Sequence, residues 1–162
     1  MSQIQLKVFN KLEEMGIRYE VTRHSAVYTM EEMENLNMEN GSEIVKNLFL
    51  RDDKKERYFL IVLSKKKKLD VKTIQQNLQS RRLSFASEDD LQKILGLTKG
   101  SVSPFGILND SSCMVEVIID SDLSNKYIGV HPNENTATVW IKLEDLEAII
   151  KNHGNTVNYI EC

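Results

Sequence analysis

Two polar side chains, Lys46 and Asn47, interrupt the apolar segment IVKNLFL at residues 44–50. In a β-strand, both faces of this segment would otherwise be apolar, as in strands that are buried on both sides. Burying an ammonium or an amide without partners costs free energy, so the two residues need a reason to be there. Either the lysine extends to solvent from the start of the strand, or it faces a pocket and donates to a carboxylate, phosphate or carbonyl oxygen.

The segment TKGSVSPFGILND at residues 98–110 combines Gly100, Gly106 and Pro104, although the chain has only seven glycines and two prolines. Glycine adopts backbone conformations closed to other residues, and Pro104 biases Ser103 toward extended geometry. Such a loop can direct successive N–H groups at one point, as in anion-binding nests and oxyanion holes. The alternative is an ordinary connector. Walker and Gly-x-Gly-x-x-Gly motifs are absent from the sequence.

A histidine lies in GVHPNEN, which contains the other proline and separates two β-like runs. The pattern of Gly129, His131 and Pro132 is typical of a tight turn in which the histidine is incidental. His24, at a strand's end, suggests a structural hydrogen bond. Neither histidine has a second histidine or cysteine at ligand spacing, so we predict no metal and no cofactor.

A basic run follows the apolar segment YFLIVL, at the point where a strand would leave the core. Its alternatives are a solvated turn and a surface that holds phosphates. The basic residues concerned are Lys65, Lys66, Lys67, Lys68 and Lys72, followed by Arg81 and Arg82.

The elements that must position these residues alternate along the chain. Hydrophobic periodicity, with Ser87 and Thr29 as helix caps and Gly16, Gly96 and Gly154 as stops, separates helices from strands. Helices are predicted at 2–15, 30–36, 70–79, 88–95 and 143–153, and strands at 18–22, 44–51, 57–63, 113–120, 126–130, 136–141 and 156–160. Strands 44–51 and 57–63 form a predicted hairpin. This order of hairpins and crossovers predicts an α+β fold with helices packed on a mixed sheet.

Length and composition set the outer limits. With 162 residues, 41% of them hydrophobic, the chain is expected to form one domain, residues 1–162. No apolar run approaches the length of a membrane span, and the N-terminus lacks the pattern of a signal peptide. We therefore expect a cytoplasmic protein without a membrane partner. Cys113, inside an apolar run, is predicted to be core, and Cys162 to be tail.

Four segments, KNLFLRD, LSFAS, GSVSPFGILND and IGVHPNENTATVWI, resemble the YbaK/prolyl-tRNA synthetase-associated domain family of trans-editing deacylases. The resemblance extends from about residue 4 to the last strand. It implies a curved mixed β-sheet with packed helices. It also implies an aminoacyl-tRNA deacylase similar to the free-standing branch that hydrolyses alanine from mischarged tRNA(Pro).

The resemblance further implies roles for individual residues. The catalytic residues it implies are Lys46, Gly100, Ser101 and Val102, and the substrate-binding residues are Asn47, Ser103, Pro104, Gly129 and His131. The basic pattern, in which the lysine run is denser than the family leads us to expect, gives the candidate tRNA-binding residues Lys65, Lys66, Lys67, Lys68, Arg81 and Arg82. Backbone N–H groups of the 100–104 loop would stabilise the oxyanion, so the side chains of Ser101 and Ser103 should matter less than Gly100. Lys46 would orient the substrate, and we assign it no role as a general base.

The implied partner is the acceptor end of tRNA(Pro) carrying a wrong amino acid, with prolyl-tRNA synthetase as a further candidate. A pocket that edits alanine must reject proline, so apolar side chains should narrow it near Lys46, with His131 at its edge. Two alternatives remain open. One is a deacylase of the same fold for cysteine or serine, and the other is a noncatalytic tRNA-binding or regulatory module.

Overall fold

The computed structural model describes residues 2–23, 42–134 and 136–162. Two helices begin at serines, Ser2 and Ser87, whose hydroxyls accept a hydrogen bond from a backbone N–H of the first turn. Two end at glycines with left-handed backbone, Gly96 at φ 67° and Gly154 at φ 114°. The helices are α1 (Gln3–Glu14), α2 (Val71–Asn77), α3 (Glu88–Leu95) and α4 (Leu143–His153), with 3₁₀ helices at Pro104–Asn109 and Ser121–Leu123.

The strands of the described residues join in one mixed sheet. They are β1 (Glu20–Arg23), β2 (Ser42–Asp52), β3 (Tyr58–Ser64), β4 (Leu83–Phe85), β5 (Val115–Asp120), β6 (Tyr127–Val130), β7 (Ala137–Lys142) and β8 (Val157–Ile160). Their spatial order is β1-β7-β6-β2-β3-β5-β8, and β4 pairs with β2. The pairs β2–β6, β3–β5 and β5–β8 are parallel, and the other pairs are antiparallel.

The β2–β3 hairpin lies at the centre of this sheet and separates two apolar clusters. Val45 and Phe49 of β2 belong to the larger cluster, whereas Leu50 belongs to the smaller one and Leu48 packs against it. The predicted strand with two apolar faces is therefore confirmed. Every residue of β3 is buried, so the hairpin is a rigid base for the polar residues that interrupt β2.

The predicted α+β architecture, its mixed sheet and the hairpin of strands 44–51 and 57–63 are confirmed. The short strand β4 was not predicted, and several predicted ends differ by one or two residues. The strand predicted at 113–120 begins only at Val115, because Cys113 has a φ of 52°, which is incompatible with a strand. Cys113 is half-buried and not part of the core. The helix predicted at 30–36, its cap Thr29 and the histidine at position 24 lie outside the described residues.

None of the helices in the described ranges has the length and hydropathy that a membrane span requires.

Candidate functional site

One edge of β2 contains a gap in strand pairing. Along one side, β2 pairs continuously with β3 from Val45 to Arg51. On the other side it pairs with β6 only over residues 42–44 and with β4 only over residues 50–52. Residues 45–49 therefore lie between two short partner strands, and their backbone on this side has no strand partner among the described residues.

The ladder shows which backbone groups face the gap. Lys65 N–H donates to Ile44 O, and Asp52 N–H donates to Arg57 O. The backbone N–H and C=O groups of the even-numbered residues of β2 therefore point toward β3. The backbone N–H and C=O groups of the odd-numbered residues point to the opposite edge, because the direction of these groups alternates along a strand. The bond from Ala86 N–H to the Phe49 carbonyl agrees with that assignment. The backbone N–H and C=O of Asn47 consequently point into the gap.

A small cleft of about 200 Å³ occupies the part of the gap next to β6. Three segments meet around it: the start of β2, the 98–104 loop and the turn after β6. Its lining residues are Val45, Lys46, Asn47, Gly100, Val102 and His131. Five of these six were singled out from the sequence, and the fold brings them together.

The 98–104 loop begins with a β-turn that depends on Gly100. Ser101 N–H donates to Thr98 O at 3.0 Å, which places Gly100 third in the turn with φ 92°, as a type II turn requires. The N–H of Ser101 is therefore already engaged. The N–H groups of Gly100 and Val102 form no hydrogen bond with another described residue, so both remain available to a ligand.

Ser103 connects this loop to the turn that carries the histidine. Its side chain is fully buried, and its hydroxyl donates to the carbonyl oxygen of His131 at 2.6 Å. The same hydroxyl accepts from Phe105 N–H at 3.2 Å, so it also caps the 3₁₀ helix that Pro104 begins. The buried Ser103 and Pro104 therefore hold the loop, and neither lines the small cleft.

Asn47 joins the loop to β2. Its Nδ2 donates to the Val102 carbonyl at 3.3 Å, and because a carbonyl can only accept, this bond fixes the orientation of the carboxamide. The Oδ1 of Asn47 is buried and has no partner among the described residues. A buried acceptor without a donor costs about 1–3 kcal/mol. A donor supplied by a ligand would relieve that cost.

The turn after β6 is held by its neighbours. The Nδ1 of His131 lies 3.2 Å from the Ala137 carbonyl, an acceptor, so this nitrogen carries the proton. Gly129 does not line the cleft; a Cβ there would lie 2.5 Å from the ring of Trp140. Because Gly129 has no side chain, the ring of Trp140 can pack against β6 at this position. Gly129 therefore has a packing role two residues before His131.

A larger cleft of about 580 Å³ lies in the part of the gap next to β4. It shares Asn47 and Val102 with the small cleft, so the two clefts adjoin at these residues. Phe85, the last residue of β4, borders it with 62% of its surface exposed. No role was predicted for Phe85, although it lies in LSFAS, one of the four segments that carry the family resemblance, and is an aromatic residue in the polar stretch SFASEDD.

The basic run is largely separate from the clefts. Lys66 and Lys68 are exposed, but the ammonium of Lys67 forms ion pairs with Asp120 and Asp122. Hydrogen bonds from these carboxylates, Asp120 first, raise the pKa of Lys67, and those same contacts lower the pKa of Asp122. Lys67 is thus already neutralised within the protein.

The two arginines lie at the other end of the hairpin. Arg81 forms a bidentate pair with Asp53, at 2.6 and 3.1 Å, which lowers the pKa of that carboxyl through its hydrogen bonds. Arg82 is exposed. The run at 65–68 begins beside Ile44, because Lys65 N–H donates to the Ile44 carbonyl. Ile44 lies eight residues along β2 from Asp52, which separates the two positions by about 26 Å at 3.3 Å per residue. The predicted tRNA-binding residues therefore form two separate patches.

Comparison with known proteins places this geometry in a family. Residues 24–149 match the model of the aminoacyl-tRNA editing domain. The chain is 53% identical over 155 residues to the prolyl-tRNA editing protein ProX of Acetoanaerobium sticklandii, covering 95% of this chain and 94% of that protein. It is 28% identical over 159 residues to prolyl-tRNA synthetase associated domain-containing protein 1 of Bos taurus, covering 95% and 92%.

A solved structure, described as a candidate trans-editing enzyme for prolyl-tRNA synthetase, has the same fold with a TM-score of 0.76. It is 21% identical, and the alignment covers 100% of this chain and 99% of that one. These findings confirm the family resemblance, the fold and the deacylase class that the sequence motifs implied. The chain belongs to the aminoacyl-tRNA editing domain family.

Proposed function

We propose that this protein hydrolyses the ester of alanine on mischarged tRNA(Pro). The observation that carries the proposal is the small cleft at the gap in β2, where Lys46 and Asn47 face the 98–104 loop. Its relatives support the choice of tRNA, since ProX is named a prolyl-tRNA editing protein. Prolyl-tRNA synthetase is a further candidate partner.

The reaction is the attack of water on the ester carbonyl, with the ribose hydroxyl as the leaving group. An aminoacyl ester is activated, so positioning of water and stabilisation of the oxyanion suffice, and no nucleophilic side chain is needed. A neighbouring ribose hydroxyl of the substrate can carry the proton to the leaving oxygen. The proposed donors to the oxyanion are the N–H groups of Gly100 and Val102, together with that of Asn47 in β2.

Recognition of the amino acid is assigned to the remaining lining residues. Val45 and Val102 narrow the cleft beside Lys46, as a site that accepts alanine and rejects proline requires. The unpaired Oδ1 of Asn47 is the acceptor proposed for the α-amino group. Because that oxygen is covered, the loop must shift by a small distance when substrate enters.

A deacylation panel tests the proposal. Purified protein is incubated with Ala-, Ser-, Cys- and Pro-tRNA(Pro), and with Ala-tRNA(Ala) as the control for tRNA identity. We expect fast hydrolysis of Ala-tRNA(Pro) only. Preference for Cys- or Ser-tRNA(Pro) would assign a deacylase of different amino-acid specificity, and binding of tRNA without hydrolysis of any ester would assign a noncatalytic module.

A further inference from the structure

The larger cleft is not accounted for by the amino acid. Its volume of about 580 Å³ falls in the range of about 300–1,000 Å³ typical of small-molecule sites, whereas the aminoacyl group is assigned to the adjoining cleft of about 200 Å³. Leu48, Phe49 and Leu91 make its walls apolar. A second, largely apolar chemical group that is larger than alanine would fit this space.

The closeness of the two clefts restricts what that group can be. Because both are bordered by Asn47 and Val102, a ligand that places an ester in the small cleft can reach the larger one within a few bonds. In an aminoacyl-tRNA, the ester is attached to the ribose of the terminal adenosine. The group next to that ribose is either the adenine base or the 5′ phosphate.

The lining distinguishes between these two. Phe85 exposes 62% of its surface on the border of the cleft, and an exposed aromatic face is the platform on which bases stack. The Glu88 carboxylate also borders the cleft, and it would repel a phosphate but can accept a hydrogen bond from an exocyclic amine. Lys99 is exposed at the border and is available to the phosphate.

We infer that the larger cleft binds the adenine of the 3′-terminal nucleotide and that Phe85 stacks on it. The inference rests on the proposed deacylase function. It assigns the base to the side of the gap next to β4 and the amino acid to the side next to β6, with the ribose beside Asn47 and Val102, which line both clefts.

The test combines a variant with a modified substrate. Steady-state deacylation is measured for Ala-tRNA(Pro) and for the same tRNA whose terminal nucleotide lacks its base. Loss of one stacked base corresponds to a 5- to 140-fold effect, roughly, so removing the base or making Phe85→Ala should each raise KM by that factor. Once the base is absent, Phe85→Ala should have little further effect. Phe85→Trp should retain the wild-type KM.

Two controls separate failure of this inference from failure of the proposed function. Met114→Ala truncates an apolar side chain that is 44% exposed elsewhere, and it should leave KM unchanged. Adenosine and cytidine are titrated into the protein by NMR, a readout that needs no catalysis; adenosine should shift resonances of Phe85 and Leu91, and Phe85→Ala should weaken its binding.

If wild-type protein deacylates the abasic substrate with an unchanged KM, the inference is wrong while the deacylase stands. If no aminoacyl-tRNA is hydrolysed, the NMR titration tests the adenine site by itself. Adenosine that does not bind, or that binds without shifting the resonances of Phe85 and Leu91, overturns the inference. A KM effect of Phe85→Ala that is equal for both substrates would show that Phe85 does not act through the base.

Discussion

The hydroxyl of Ser103 donates a 2.6 Å hydrogen bond to the carbonyl oxygen of His131, and this bond joins the loop and the turn that form two walls of the small cleft. The same hydroxyl accepts from Phe105 N–H. From the sequence, the side chains of Ser101 and Ser103 were both expected to matter less than Gly100. The structure changes that expectation for Ser103.

Ser103→Ala is therefore expected to lower the free energy of unfolding by about 1–3 kcal/mol, because the half-buried His131 carbonyl and the buried Phe105 N–H lose their partner. Deacylation should fall with it as the loop moves away from His131. The matched control is Ser101→Ala, whose hydroxyl makes no hydrogen bond to the described residues. Urea unfolding and single-turnover deacylation measure both effects; equal stabilities of the two variants would contradict the role given to Ser103.

Gly100 and Gly16 provide a matched pair. Both have positive φ, 92° and 66°, and a Cβ at either would meet nothing within 4 Å. Alanine at either position should therefore cost about 1–2 kcal/mol of backbone strain without a clash. Alanine keeps the backbone N–H, but strain in the turn or the added methyl group would misdirect that donor or block the ester. We therefore expect only Gly100→Ala to reduce single-turnover deacylation, by about 10²–10³-fold, the effect of losing one oxyanion donor.

Thermal melts recorded beside the kinetics check that both variants are folded. If Gly100→Ala loses no more activity than Gly16→Ala, the turn at residues 98–101 does not aim a donor at the ester. Inactivity of Ser101→Ala in the same experiment would instead favour a water or nucleophile held by that hydroxyl.

Most residues of the small cleft could be identified from the sequence, because each of them departs from the pattern of the residues around it. Lys46 and Asn47 interrupt a strand with two apolar faces, and Gly100 belongs to a turn that needs positive φ. Such conflicts are visible within a few residues. Helix ends were predictable for the same reason, since Ser87 and Gly96 cap α3 by local hydrogen bonds and backbone conformation.

The gap in β2 was not predictable in this way. It exists because β4 and β6 pair with the same edge of β2 and stop short of each other, which depends on contacts between segments distant in sequence. The partners of Lys67 come from the end of β5, more than fifty residues away, so the run at 65–68 looks uniformly basic in sequence. The exposure of Phe85 likewise follows from where β4 ends.

The lysines of the basic run should consequently have two different roles, one in tRNA binding and one in stability. Replacing the exposed Lys66 and Lys68 by alanine should weaken tRNA binding and reduce the slope of log K against log[salt] by about 1–2, because fewer counterions are released. Lys67→Ala should instead destabilise the fold by about 3–5 kcal/mol, since the fully buried Asp120 loses its cation. Filter binding at several salt concentrations and urea unfolding measure the two effects. An unchanged salt slope in the double variant would make Lys66 and Lys68 part of a solvated turn.

The ion pair between Lys67 and Asp122 predicts a dependence of stability on pH. Hydrogen bonding to Lys67 lowers the pKa of Asp122 below its ordinary 3.8, so the pair stabilises the folded state above that pH. The contribution is lost as pH falls through the folded pKa. Wild-type protein should thus be more stable than Asp122→Asn near neutral pH, and the difference should shrink below about pH 3.8. Urea unfolding of both proteins between pH 2.5 and 7 tests this. If the stability difference between wild type and Asp122→Asn grew on acidification, the prediction would be wrong.

Lys46 is the residue on which the electrostatic part of the mechanism depends most. It is half-buried at the small cleft, and its ammonium has no ion pair or hydrogen bond with any described residue. A cation that has no partner among the described residues should attract the oxyanion that forms on the ester, or the phosphate of the terminal nucleotide.

We expect Lys46→Met, which keeps the length of the side chain without its charge, to remove most deacylation of Ala-tRNA(Pro). The fold should be intact by circular dichroism, because Lys46 forms no ion pair or hydrogen bond within the described part of the chain. Lys72→Met, on the exposed face of α2, is the control for loss of one positive charge. A fall in kcat at unchanged KM would place the ammonium at the oxyanion, whereas a rise in KM alone would place it at the phosphate. Wild-type kinetics in Lys46→Met would remove Lys46 from the site, and catalysis would then rest on the backbone donors of β2 and the 98–104 loop.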